Sequence, residues 1–287
     1  MNPDAHDEID VEDVEYLRHG DAPLLARLYL PRGAGPFPLA AEIHGGAWCR
    51  GTRLDEDGVN RKLAQQGIAV AALDFRQPPE AAYPASLADI NHGIRWLKAH
   101  AARCRSRPDL VGVMGLSSGA HQAMLAAMRP HDPRYAAIPL PGAAFDAGAA
   151  FAVLCWPVID PLGRYRHAKA LRAGGQPYPE VIDRVLPDHD RYWPSEDAMA
   201  EGNPVMALER GERAALPPVI YLQGDADTAH PAPQMERFVA AYRKAGGTLT
   251  LKRYAGEDAG FISKRPDAPA TAQALRDIAD FVRRAAR

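Results

Sequence analysis

Short apolar runs alternate along this chain with stretches in which apolar residues recur every three or four positions. Runs of about four to eight apolar residues predict strands, and the longer spacing predicts helices with one buried side. Residues 11–17 and 24–30 read as an antiparallel pair joined by the polar turn His19-Gly20-Asp21. Residues 39–43 read as a buried strand, 55–66 as a helix stopped by Gly67, and 68–75 as a continuous apolar strand covered on both faces. Residues 83–100 form an amphipathic helical pattern with Leu87, Ile90, Ile94 and Leu97 on one side. Residues 110–116, 151–156, 219–222 and 249–254 supply four more strands, with helices beginning near Ser118, Pro233 and Ala268. This rhythm predicts a mostly parallel sheet of eight strands flanked by helices. Residues 158–217 interrupt it with a Pro-, Gly- and Arg-rich stretch. An insertion of that length between two core strands reads as a functional lid on a single domain spanning 1–287.

Composition narrows the class. Lys and Arg total 34 against 36 Asp and Glu, for a net charge of −2, and no basic block interleaves with aromatics, which argues against nucleic acid as a partner. Residues 1–15 are acidic and polar, without the basic start and apolar stretch of a signal peptide. No apolar run approaches the roughly 18 residues that span a bilayer, so no membrane association is expected. Three widely spaced cysteines, Cys49, Cys104 and Cys155, read as free thiols in a reducing cytoplasm. No His/Cys cluster has metal-ligand spacing, and Gly33-Ala34-Gly35 lacks the Gly-Lys-Ser/Thr of a phosphate loop; neither metal nor cofactor is expected. A homodimer is compatible with the chain.

The candidate chemistry lies in Gly115-Leu116-Ser117-Ser118-Gly119, which follows an apolar strand and opens a helix. A serine hydroxyl is a poor nucleophile unless it is held and deprotonated by a neighbouring base, and a strand-turn-helix with glycines on either side holds it well. With 24 glycines and six serines, about 0.04 such matches per chain arise by chance. Upstream, His44-Gly45-Gly46-Ala47-Trp48 follows the third strand. The amides of Gly46 and Ala47, with that of Ser118, are placed to stabilise an oxyanion in acyl transfer. His44 reads as a residue that holds the loop, Trp48 as a pocket wall and Cys49 as a packed thiol.

With these motifs, the chain resembles the α/β-hydrolase fold, and within it the hormone-sensitive-lipase-like and small bacterial carboxylesterases. The likeness extends from about Val14 to the C-terminus. It is carried by HGGAW at 44–48, Asp74-Phe75-Arg76, Tyr83-Pro84-Ala85 with Asp89, Trp96-Leu97, GLSSGA at 115–120, and Gly224-Asp225-Ala226-Asp227 before Pro231. Ala47 stands where a third glycine is common, and Ser118-Gly119-Ala120 where Ala-Gly-Gly is common. The resemblance implies an acid at Asp227, with Asp225 as runner-up, and a histidine after the last strand. There the chain has Ala259-Gly260-Phe261, so Ala259 occupies the histidine slot. His230, three residues from Asp227, is expected to be badly placed to bridge acid and nucleophile, and to line the pocket or face solvent.

The resemblance therefore implies a serine hydrolase of small carboxylic esters whose base is absent. A deliberate His-to-Ala change at 259 is favoured over a natural non-catalytic small-molecule binder, of which the plant gibberellin receptors resemble an example. The elbow, the oxyanion loop and the acid are all retained. Amidase, formamidase and lactonase chemistry are the alternatives for the parent enzyme. Arg164, Tyr165, Trp193, His230, Phe261 and Trp48 are the pocket candidates, with Arg166, His167 and Tyr192 nearby in the insertion.

Overall fold

A computed structural model describes residues 8–142 and 144–286; residues 1–7, Ala143 and Arg287 lie outside it, and with them the first half of the acidic N-terminal stretch. β1 (Ile9–His19) and β2 (Ala22–Pro31) form the expected hairpin. β3 (Leu39–Ile43), α1 (Asp57–Gln65), β4 (Ala69–Leu73), α2 (Ala85–Ala99), β5 (Val111–Leu116), α3 (Ser118–Met128) and β6 (Ala152–Cys155) follow in order. The segment between β6 and β7 carries α4 (Pro161–Ala173), α5 (Val181–Tyr192), α6 (Glu196–Glu201) and α7 (Pro204–Glu209). The chain then returns through β7 (Val219–Gly224), α8 (Ala232–Lys244), β8 (Leu249–Tyr254), α9 (Phe261–Lys264) and α10 (Pro269–Ala285).

The eight strands make one sheet in the order β1-β2-β4-β3-β5-β6-β7-β8. β2 pairs antiparallel with both neighbours, and every other pairing is parallel. Successive strand residues point to opposite faces. Ala41, Ile43, Leu73, Val113 and Tyr221 thus pack with Leu87 and Ile90 of α2 and Met124 of α3. Ala40, Val70, Ala72, Met114 and Leu222 pack on the other face with Leu63 of α1 and Leu275 and Ile278 of α10. Both faces are covered, which is why β3, β4, β5 and β7 are buried at every position and read as mostly apolar runs, broken by the buried Glu42 in β3 and Gln223 in β7.

One helix departs from the pattern in the sequence. α2 is buried all round from Ser86 to Leu97, not along one side alone. Most of its polar residues are paired: Asn91 Nδ2 donates to the Pro130 carbonyl at 3.2 Å, and Arg95 donates to Asn91 at 2.8 Å and to the Ile138 carbonyl at 2.6 Å, whereas His92 Nδ1 is buried without a partner. Paired polar groups tolerate burial that unpaired ones do not, so periodicity alone understated how deep this helix lies.

The four helices of 158–217 are tied to the core by side chains. Trp48 stacks on Tyr192 with ring centroids 5.4 Å apart, Tyr192 Oη lies 2.7 Å from Ser86 Oγ, and Arg50 pairs with Asp188. Asp160 caps α4 by accepting from the Gly163 amide at 2.8 Å, and takes bonds from Asn203 Nδ2 and Arg237 Nη1. All loops that carry the candidate chemistry leave the carboxyl ends of parallel strands, where ligands bind in open α/β sheets.

Candidate active site

At the end of β5 the backbone turns abruptly. Ser117 has φ +53° and ψ −117°, a region that L-residues adopt only when their surroundings over-determine it. Its N–H donates to the Cys155 carbonyl at 2.9 Å, and its own carbonyl accepts from His121 at 3.2 Å and Val158 at 3.1 Å. The strained residue is thus pinned by α3 and by the chain leaving β6. α3 also approaches β3 so closely that a Cβ at Gly119 would lie 2.0 Å from the Ile43 carbonyl oxygen. Only glycine permits that approach, which accounts for the second glycine of the elbow.

The short loop after β7 brings both a carboxylate, Asp227, and an imidazole, His230, toward Ser117. Asp227 Oδ1 accepts from the amides of Ala229 at 2.8 Å and His230 at 3.0 Å, an Asx-type turn that folds the loop back on itself. Asp227 Oδ2 then lies 2.9 Å from His230 Nδ1, and His230 Nε2 lies 3.1 Å from Ser117 Oγ. The Gln223 side chain donates to the His230 carbonyl at 2.7 Å and holds the loop from below. The carboxylate only accepts, so Nδ1–H donates to it and Nε2 is left to accept from Ser117. Both side chains are buried, with Asp227 at 0% and His230 at 5% exposed.

This corrects the expectation for His230. Three residues are too few for an extended loop to place an imidazole between acid and nucleophile, but the turn at Asp227 points the two ring nitrogens in opposite directions. Asp225 faces elsewhere; its carboxylate accepts from the Gly256 amide at 2.6 Å. Ala259 borders the same cavity after β8, and its carbonyl accepts from Lys264 Nζ. The serine is not left without a neighbouring imidazole.

The oxyanion loop is locked against the elbow. Gly46, Ala47 and Trp48 all have positive φ, and the Trp48 amide donates to Ser118 Oγ at 3.1 Å. Among the described residues the amides of Gly46, Ala47 and Ser118 donate to no other protein group. Gly46 and Ala47 border a cavity of about 640 Å³ that also exposes Ser117 and His230. His44 stacks on Phe75 at 4.3 Å and bonds to the Gly45 carbonyl at 2.8 Å, in keeping with a holding role. Trp48 Nε1–H donates to His121 Nδ1 at 3.2 Å, so the Nε2–H of that ring donates to the Gly202 carbonyl at 2.7 Å. The ring thus connects the oxyanion loop to the helices of the insertion.

The pocket candidates divide. Arg164 and His230 line the cavity. Trp48 and Trp193 do not: they are 1% and 2% exposed, packed with Tyr192 in an aromatic cluster beneath the insertion. Tyr165 turns away to donate to Asp190 at 2.7 Å, and Phe261 is fully buried against Trp156 and Tyr254. Arg166 is exposed and paired with Glu196, and His167 is exposed. Aromatic residues in the insertion therefore anchor it instead of facing the cavity. Arg50, Arg184 and Lys264 also border the cavity and were not singled out in the sequence. Nothing local distinguishes them from surface cations.

Burial pushes the pKa of His230 below its ordinary 6.5; the Arg164 cation pushes the same way, and Asp227 pulls it back up. A base of this kind works only when neutral. Activity carried by His230 is therefore expected to be full above the depressed pKa, and to fall only as pH drops through it. A pH profile of kcat/KM checks this: its acid limb should lie below pH 6.5. A limb at or above that value would place the base elsewhere.

The sheet order, the elbow and the loops at the strand ends are those of an α/β-hydrolase, and the chain has that fold. Residues 27–146 match the BD-FAE family. Among curated proteins the chain is similar to the esterase LipC of Mycobacterium tuberculosis, 25% identical over 72% of this chain and 49% of that protein. It is likewise similar to isoprenylcysteine alpha-carbonyl methylesterase ICME of Arabidopsis thaliana, 24% identical over 80% of this chain and 52% of that protein. The chain spans about half the length of these relatives. The solved esterase of Pyrobaculum calidifontis superposes with a TM-score of 0.76 at 23% identity, covering 95% of this chain and 85% of that one. The thermophilic carboxylesterase EstE1 gives 0.77 at 21% identity, covering 97% and 90%. These similarities are to esterases and carboxylesterases.

Proposed function

We propose that this chain is an active serine hydrolase that cleaves small carboxylic esters through an acyl-enzyme on Ser117. The observation that carries the reading is the continuous contact Asp227–His230–Ser117, at 2.9 and 3.1 Å, beside three free amides. In the proposed sequence His230 Nε2 takes the Ser117 proton as Oγ attacks the acyl carbon. The oxyanion is held by the amides of Gly46, Ala47 and Ser118. Asp227 stabilises the imidazolium, which then gives its proton to the departing alcohol. Water, deprotonated by the same nitrogen, attacks the acyl-enzyme and releases the acid, restoring Ser117.

This reading replaces the one built on Ala259. A chain with an imidazole already seated between acid and nucleophile needs no histidine at 259, so neither an inactivating change nor a binding-only role is required. A cavity of about 640 Å³ suits a small substrate. The helices of 158–217 are proposed as its cap, since Arg164, Val181 and Val185 close one side. No described helix is long and apolar enough to cross a membrane. The three free thiols fit a cytoplasmic location, which is part of the proposal.

The test is hydrolysis of 4-nitrophenyl acetate and labelling by an organophosphonate. Ser117→Ala is expected to lower kcat by about 10⁴-fold or more and to abolish the label. Failure of the unaltered protein to hydrolyse any short-chain aryl ester or to take up the label would refute the enzyme reading.

A further inference from the structure

One side chain in the cavity is left without what it needs. Arg164, on α4, is 4% exposed, and its Nε donates to the Ala229 carbonyl at 3.0 Å. Its Nη1 is buried with no hydrogen-bond partner, although the side chain borders the cavity that holds Ser117 and His230. A buried guanidinium whose N–H has no protein partner is costly unless an acceptor meets it. The guanidinium remains a cation at neutral pH, since burial pushes its pKa down only to about 10.

The acids around the cavity are engaged elsewhere. Asp258 pairs with Lys264 and Arg265, Glu56 accepts from Ser263, and Asp55 accepts from Thr52. The nearby Asp227 is used by His230 and two backbone amides. Arg184, at the exposed side of the cavity, has no ion pair among the described residues. Two cations therefore border the cavity with no protein anion bonded to either. Their charge also works against the chemistry: a cation near His230 opposes the imidazolium that must form when Ser117 attacks. A neutral ester would leave that penalty in place, whereas an anion seated on Arg164 would offset it.

We infer that the substrate carries a carboxylate besides its scissile ester, and that Arg164 receives it, with Arg184 drawing it in from the cavity mouth. This rests on the ester-hydrolase reading. The carboxylate has two sources, the acyl part or the alcohol part, and they are separable. The first pair is 4-nitrophenyl hemisuccinate against its neutral methyl ester; the second is 4-acetoxybenzoate against 4-acetoxybenzamide.

In the unaltered protein, one of the two pairs should show kcat/KM at least about tenfold higher for the anion, the worth of one charge-assisted hydrogen bond. That ratio should collapse toward one in Arg164→Gln and recover in part in Arg164→Lys. Because each ratio is taken within one protein, general damage to the loop at Ala229 cancels. Equal turnover of anionic and neutral members in both pairs by the unaltered protein overturns the inference even if no variant folds. So does a preference that survives in Arg164→Gln. Hydrolysis of 4-nitrophenyl acetate without any anion preference sinks this inference alone, whereas no hydrolysis of any ester sinks the reading beneath it.

Discussion

His230→Ala is expected to lower kcat toward 4-nitrophenyl acetate by about 10⁴–10⁶-fold while leaving the fold intact. Among the described residues the imidazole is the one group within hydrogen-bond distance of Ser117 Oγ that accepts a proton, and it is already aligned by Asp227 on its far side. Removing it leaves the oxyanion amides in place, so a residual rate above that of water should persist. The turn should also survive, because Asp227 Oδ1 keeps the backbone amides of residues 229 and 230. Ala259→His is the companion measurement. It should change kcat by less than about threefold, since the acid and the nucleophile already have their base. An active His230→Ala together with a large gain in Ala259→His would reverse the assignment and restore the view that position 259 is the vacant one.

The largest effect on stability is expected from Asp89→Ala, at about 2–4 kcal/mol. The Asp89 side chain is completely buried on α2 and accepts from the Arg76 amide at 2.9 Å, from Arg76 Nε at 2.9 Å and from Arg76 Nη2 at 2.8 Å. His19 Nε2 lies 2.8 Å from its other side. One carboxylate thus joins the end of β1, the chain leaving β4, and α2. Removal would strand a guanidinium and a backbone N–H together. The Arg76 side chain is 30% exposed, so water recovers part of the loss and the figure stays below that for a wholly buried pair. Urea unfolding should show a lower midpoint at an unchanged m-value. Asp89→Asn, which can still accept from the amide, should lose less. A midpoint unchanged by Asp89→Ala would mean that this network contributes nothing to the fold.

Neither residue is equally visible in the chain. Asp89 was picked out as part of a motif with Asp74-Phe75-Arg76, because spacing and helical position are local properties that letters preserve. The place of His230 is not such a property: distance along the chain puts it too close to Asp227 to span the site. The span comes from the double acceptance by Asp227 Oδ1, a turn whose geometry depends on where β7 ends and on Gln223 holding the His230 carbonyl. The aromatic candidates failed for a related reason. Trp48, Trp193 and Phe261 are apolar enough to line a pocket or to fill a core, and only tertiary packing sends them inward, the first two under the insertion and Phe261 against Trp156 and Tyr254.

The chain alone was enough for the eight strands, their mostly parallel arrangement, the sharp turn at Ser117 and the glycine loop at 44–48. Each is written in a short window: continuous apolar runs for strands covered on both faces, and small residues where backbones must approach within van der Waals contact. The base, the walls of the cavity and the unpartnered cation facing it were decided by tertiary structure. Those depend on which way side chains turn when loops from four strands meet at one edge of the sheet. Direction in space is not a function of separation in sequence, and so an imidazole three residues from its acid could be read as misplaced when the folded loop sets it between Asp227 and Ser117.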